Sequence, residues 1–299
     1  MSRAVPSHAA ALRLPRDWPA LLLLAAVTYV LYRPALAYML VMWRVPVFEG
    51  ADYSHGPLLP LVSLGALWIR RHALQAAPKR CCPGALLLVV PLLVLHWVGL
   101  RSEFYRLSLL SLIGLLWSAG WYLYGPATAR LLVFPCAYLL FCVPLNFLDA
   151  FSFRLRLLAA TLSAGLLNGL GIAAHRSGSA IYSAAGGSFS FDVADPCSGL
   201  RSLLALSALA AAYAQFTQPT LTRKWLLFLL AVPIAILANV VRIVSIAVAA
   251  QVWGQAVALR VYHDYSGYIV FLAGTVLLMA AGRLTSRLWR GRRQRGGAA

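Results

Sequence analysis

Long apolar runs alternate with short polar or basic stretches along almost the entire chain. The runs over 18–43, 84–100, 106–124, 130–148, 198–216, 225–251 and 265–283 approach or exceed the roughly 20 largely apolar residues that a bilayer-spanning helix needs. A shorter run covers 57–70. The stretch 151–174 is apolar too, but Arg154 and Arg156 interrupt its start and small or polar residues (Gly165, Asn168, Gly169, Gly171) crowd its end. No internal repeat and no separate soluble domain stands out, so residues 1–299 are read as one transmembrane domain. The run beginning at Trp18 lacks a small-residue cleavage site and is expected to be a retained first span.

The texture changes between 176 and 196. Phe189, Phe191 and Val193 alternate with small or polar residues, Ile181 and Tyr182 precede them, and Gly186-Gly187 falls between. This pattern predicts a short β-hairpin over Ala180–Ser183 and Phe189–Val193. It belongs in the outer aqueous layer or under protein, because open sheet edges do not face lipid.

Composition agrees with this pattern: 61% of the residues are hydrophobic and 11% charged, whereas soluble domains carry about 25% charged residues. A formal net charge of +18 raises the question of nucleic acid. The basic residues form no aromatic-interleaved face, however; they gather at the ends of apolar runs, as the positive-inside rule requires. No nucleic-acid partner is expected, and the bilayer is the solvent.

Charge also sets orientation. With Arg3, Arg13 and Arg16 inside, Arg70, Arg71, Lys79, Arg80, Arg130, Arg223, Lys224 and the arginine-rich end also fall inside, accounting for most of the 26 basic residues. Residues 1–17 are then a cytoplasmic N-terminus and 284–299 a basic cytoplasmic tail. Every acidic residue except Asp17 falls outside. An even number of spans must separate Arg130 from Arg223-Lys224, so 151–174 is assigned as an interfacial or re-entrant helix on the outer side. The expected fold is an all-α polytopic membrane protein of about eight transmembrane helices, with that interfacial helix and a short outer-face β-hairpin.

Candidate chemistry begins with the five cysteines, Cys81, Cys82, Cys136, Cys142 and Cys197. Their odd number and irregular spacing make no disulfide framework. No Cys-x-x-Cys or His-x-x-x-His spacing occurs, so neither a metal nor another cofactor is expected. Cys136 and Cys142 lie in apolar sequence and read as small buried hydrophobes. Cys197 differs: it follows Asp195-Pro196, a plausible N-cap and first helical residue, and precedes Ser198-Gly199-Leu200-Arg201. In the first turn of a membrane helix, unpaired N–H groups and the positive dipole end favour the thiolate. Arg201, one turn on, adds positive charge to the same face.

Arg242 lies deep in the span 225–251, with Asn239 three residues earlier to orient it. An arginine on a spanning helix is costly and marks a functional site unless it snorkels to headgroups. Counted from Lys224 it is 18 residues in, about 27 Å along the helix and near the outer interface. His263 precedes the last span at the same outer level. Cys197, Arg242 and His263 therefore converge in depth on three consecutive spans, supplying a thiol, a cation for an oxyanion, and a base. His55, in Tyr53-Ser54-His55-Gly56 of the first outer loop, is a rival base. His8, His72, His96 and His175 read as terminal, loop or packing residues.

With these motifs in view, the chain resembles the exosortases of the exosortase/archaeosortase family. The similarity runs from about Trp18 to Gly282. It rests on Tyr53-Ser54-His55-Gly56, Phe134-Pro135 through Val143-Pro144, Cys197-Ser198-Gly199-Leu200-Arg201-Ser202, Pro233 with Asn239 and Arg242, and His263 with Gly267 and Phe271. The resemblance implies a multi-pass enzyme of the bacterial inner membrane, its site facing outward and its termini cytoplasmic. It also implies catalytic roles for Cys197, Arg242 and His263. The implied substrates are exported proteins ending in a Pro-Glu-Pro-like sorting motif, a spanning helix and an arginine-rich end. The reaction expected is thioester formation on Cys197, followed by transfer to an acceptor or hydrolysis. The competing classes are a non-enzymatic transporter or scaffold for envelope polysaccharide export, and a cysteine acyltransferase acting on lipid.

Overall fold

In a computed structural model, residues 18–44, 55–144, 147–184, 189–192, 200–258 and 263–296 are described. Among them the chain forms α1 (Trp18–Arg44), α2 (Leu58–Ile69), α3 (Arg71–Ala76), α4 (Leu86–Arg101), α5 (Tyr105–Tyr124), α6 (Pro126–Tyr138) and α7 (Phe147–Gly169). Three strands follow, β1 (Ala174–Ser177), β2 (Ala180–Ser183) and β3 (Ser190–Asp192). The chain continues with α8 (Leu200–Thr217), α9 (Leu221–Trp253), α10 (Gln255–Val257) and α11 (His263–Gly296). Short 3-10 turns precede α4 at Pro83–Ala85 and follow α6 at Leu139–Cys142.

Among the described residues, five helical segments are long and apolar enough to cross a membrane: Leu22–Arg44, Pro83–Arg101, Tyr105–Tyr124, Leu221–Trp253 and Gly267–Arg287. Three shorter apolar helices, Leu58–Ile69, Pro126–Cys142 and Leu203–Thr217, coincide with the remaining predicted runs. The chain is thus a multi-pass membrane protein, and the count of eight spans depends on treating these three as spans too. The run predicted over 130–148 is interrupted, because α6 tightens to a 3-10 turn and Val143 turns extended (φ −89°, ψ 121°) ahead of Pro144. The proline ring disfavours helical geometry in the residue before it.

Two sets of helices pack differently. In the first, α1, α4 and α5 share buried hydrogen bonds. The Tyr32 and Ser111 hydroxyls meet at 2.7 Å, Ser111 donates to the Leu92 carbonyl at 2.6 Å, and His96 Nδ1 bonds Ser108 Oγ at 2.6 Å. The Tyr32 and His96 rings stack with centroids 3.9 Å apart. In the second set, Leu203, Leu206, Ala210, Ala214, Leu227, Ala231, Ala235 and Leu278 join α8, α9 and α11 in one apolar cluster. The ends of this bundle near Lys224 are tied by polar bonds. Gln218 Nε2 donates to the Gly282 carbonyl at 3.5 Å and Lys224 Nζ to Gln215 Oε1 at 2.7 Å. α2 and α6 with its 3-10 turn bridge towards the second set, where Leu59, Tyr138 and Cys142 cluster with Ala208 of α8, Phe134 lies against Phe216 and Phe141 against Phe228.

The interrupted stretch forms α7, which is absent from both groups of apolar helices above. Its Ala159, Ala160 and Leu167 pack with Val240, Ile243, Val244 and Ala247, on the C-terminal half of α9. The same cluster takes in Ala174, Ile181 and Phe189 of the sheet region and Ala258 beyond α10. The predicted hairpin strands pair as β2 and β3, and β1 extends them into a three-stranded antiparallel sheet, ordered β1-β2-β3. Its rows include Ala174 opposite Ser183 and Ile181 opposite Phe191. The added strand β1 is secured on its outer edge by Asn168, whose amide donates to the Ala174 carbonyl at 3.0 Å and accepts from the Ala174 N–H at 2.9 Å. That side chain stands in for a neighbouring strand and closes the edge. Val193, the predicted end of the second hairpin strand, lies outside the described residues.

Candidate functional site

The chemistry predicted from sequence belongs to the second bundle. Gly274 of α11 supplies a common level: a Cβ placed there lies 3.5 Å from Leu206 Cδ2 on α8 and 3.9 Å from Ile234 Cγ2 on α9. At 1.5 Å per residue, Leu200 is about 9 Å from this level, Gly267 about 10.5 Å, Arg242 about 12 Å and His263 about 16.5 Å, all towards the same end. The start of α8, the arginine of α9 and the start of α11 therefore share one end of the bundle.

Arg242 is half-buried and its guanidinium reaches the first turns of α11. A Cβ at Gly267 would lie 3.5 Å from Arg242 Nη2 and 3.7 Å from Cζ, ordinary contact distances that place the guanidinium directly beside the helix at this point. His263 begins α11 four residues, about one turn, before Gly267. Asn239 is buried one turn before Arg242 on α9, and Ser245 Oγ donates to the Arg242 carbonyl at 2.8 Å.

The structure thus brings Arg242 to the helix that starts at His263. Asp195, Cys197 and Ser198 lie outside the described residues, two to five positions before Leu200, where the description of α8 begins. Arg201 falls in the first turn of α8. His55 lies just before α2, where its carbonyl accepts the Leu58 N–H at 3.1 Å. Gly56 beside it is buried against the Trp43 indole, and Trp43 Nε1 donates to the Cys142 carbonyl at 3.4 Å. The rival histidine therefore stands next to the contact between Trp43 of α1 and Gly56 at the start of α2.

Of the other cysteines, Cys142 is buried, Cys82 and Cys136 are half-buried and Cys81 is exposed; all four are free thiols. Among the described residues no group of three or more His, Cys, Asp or Glu side chains is arranged to hold a metal ion. His96, read as a packing residue, is buried against Ser108 and Tyr32.

One residue near the site carried no sequence signal. Gln255, on the turn after α9, donates from Nε2 to the Ser190 carbonyl of β3 at 2.6 Å. An exposed glutamine just after a helix-ending glycine looks like any connecting residue until its long-range partner is known.

No curated protein and no solved structure matches the chain. Residues 43–280, covering α2 to α11 and hence Arg242, His263 and the segment with Cys197, match the family described as transmembrane exosortase (Exosortase_EpsH), and the chain belongs to that family.

Proposed function

We propose that the protein is a membrane-embedded cysteine transpeptidase or protease that removes the C-terminal sorting tail of exported proteins at the outer face of the bacterial inner membrane. The Cys197 thiolate attacks the backbone carbonyl carbon at the sorting motif, forming a C–S bond and a tetrahedral oxyanion. Arg242 stabilises that oxyanion, and His263 delivers a proton to the nitrogen as the C–N bond breaks. The departing tail carries the new amine. The remaining thioester is resolved by an acceptor nucleophile or by water, with His263 accepting the proton. An arginine side chain is too basic to serve as the ordinary base, so the proton traffic falls to histidine.

The observation that carries this reading is the seat of the Arg242 guanidinium on Gly267, one turn from His263, at the end of the bundle where α8 begins. A cation at that depth in a spanning helix is expensive to keep and fits a developing anion. The proposed topology has eight spans, cytoplasmic termini and α7 on the outer side. A substrate whose own tail spans the bilayer would present its motif at this level.

The test is co-expression with an exported protein bearing a candidate sorting tail, read by intact mass of the substrate. Wild type is expected to remove the tail and Cys197→Ala to leave it, with both enzymes equally abundant in the membrane. Tail removal by Cys197→Ala would sink the mechanism. The product mass separates transfer from hydrolysis.

A further inference from the structure

The two segments that carry the proposed nucleophile and base leave the same small platform. β3 ends at Asp192, and Cys197 follows seven positions after Ser190. On the other side, α9 stops at Trp253, the chain turns at Gly254, and His263 follows eight positions after Gln255. Gly254 has φ +85°, a conformation that residues with a side chain rarely adopt, so the helix cannot simply continue. The turn directs Gln255 onto β3, where Nε2 reaches the Ser190 carbonyl at 2.6 Å. Ala258, fully buried, packs in the cluster that contains Ile181, Phe189 and Ala250. The Gln255–Ser190 bond spans 65 positions and joins the outer edge of β3 directly to the segment leading into α11.

We propose that Gln255 is a positioning residue for the reaction: by holding the segment before His263 to the strand before Cys197, it sets the separation of base and nucleophile. Nothing in the bond touches substrate. The inference rests on the assignment of Cys197 and His263 made above. Asn168 offers an internal comparison, because its amide bonds close the opposite edge of the same sheet at Ala174, six positions away in sequence. Loosening that edge disturbs the sheet without cutting the link between the two catalytic segments.

The experiment compares wild type, His263→Ala, Gln255→Ala, Gln255→Glu, Gln255→Lys and Asn168→Ala in the full-length protein. Two quantities are read: site-resolved alkylation of Cys197 by iodoacetamide across pH, and kcat and KM for tail removal. Losing a well-placed base should shift the alkylation midpoint upward in His263→Ala. Gln255→Ala and Gln255→Glu should reproduce part of that shift and lower kcat about ten- to a hundredfold, the scale of a small misplacement of reacting groups, at little change in KM. Gln255→Lys, which restores a donor to the Ser190 carbonyl, should recover much of the rate. Asn168→Ala should leave the alkylation profile in place. A shift in His263→Ala with none in the Gln255 variants overturns this inference alone. No shift in His263→Ala overturns the assignment of base and nucleophile, and the inference with it.

Discussion

Between α1, α4 and α5, buried hydrogen bonds of Tyr32, His96, Ser108 and Ser111 lie beside an apolar cluster around Ala35 and Leu109; between α8, α9 and α11 the buried cluster is alanines and leucines. Both solutions suit lipid, where exposing apolar surface costs nothing and association depends on close packing and interhelical polar bonds. In the first set each of those side chains hydrogen-bonds a neighbouring helix, although His96 Nε2, also buried, meets no hydrogen-bond partner among the described residues. In the second set small residues do the packing, and the polar groups are concentrated at the two ends. One end holds Gln215, Gln218 and Lys224, and the other holds Arg242 against Gly267. A polar residue in a membrane helix is therefore read through what surrounds it, not through its rarity.

That contrast can be broken by substitution. The largest effect is expected at Arg242, where Arg242→Ala should lower the rate of tail removal by about a hundredfold or more, as loss of an oxyanion donor does. The amount of folded protein extracted from the membrane should hardly change; a proportional loss of both would make Arg242 structural. Next comes Gly282, where an added Cβ would lie 2.6 Å from Tyr213 Cε1 and 3.1 Å from its hydroxyl. Gly282→Leu should destabilise the α8–α11 contact by about 1–3 kcal/mol, the usual range for overpacking, and lower the melting temperature in detergent. Gly274→Ala, with its nearest neighbour at 3.5 Å, should be tolerated in the same assay.

Smaller effects should follow in the hydrogen-bonded set. Tyr32→Phe or Ser108→Ala removes one partner of a buried pair and should cost about 0.6 kcal/mol, the mean for such bonds in membrane helices. Thermal unfolding should register the loss while the processing rate stays unchanged; a fall in rate would give that set a catalytic connection. The smallest effect belongs to Ser163 on α7, fully buried with no hydrogen-bond partner for its hydroxyl among the described residues. Ser163→Ala should alter stability by less than about 0.5 kcal/mol or raise it slightly, because no bond is lost. A clear destabilisation would show that this hydroxyl is engaged after all.

Much of the helical frame was legible in the chain because hydrocarbon imposes a local rule on every residue it touches. The predicted run 84–100 corresponds to Pro83–Arg101, and 106–124 to Tyr105–Tyr124. Residues 130–148 were read as one run because Pro144 is apolar by composition, although its ring ends the helix. The sequence predicts no secondary structure for the arginine-rich end, where α11 continues to Gly296, with the Arg223 guanidinium 4.5 Å from the Trp289 ring centroid. Strand β1 escaped notice because Ala174-His175-Arg176-Ser177 has no apolar alternation. It is a strand only by virtue of β2 on one side and Asn168 on the other.

The site divides along the same line. By itself the sequence determined the membrane class, the approximate limits of the apolar helices, the family motifs, and the candidate residues Cys197, Arg242 and His263. Each follows from residue type and from counting 1.5 Å per position along a helix. Only the tertiary structure decided that Arg242 rests on Gly267, that Gly282 receives Tyr213, and that Gln255 fastens β3. Such pairings depend on which helix faces meet and on the space a missing side chain leaves. Neither property produces a period in the sequence, since lipid-facing and protein-facing surfaces of a membrane helix are apolar alike.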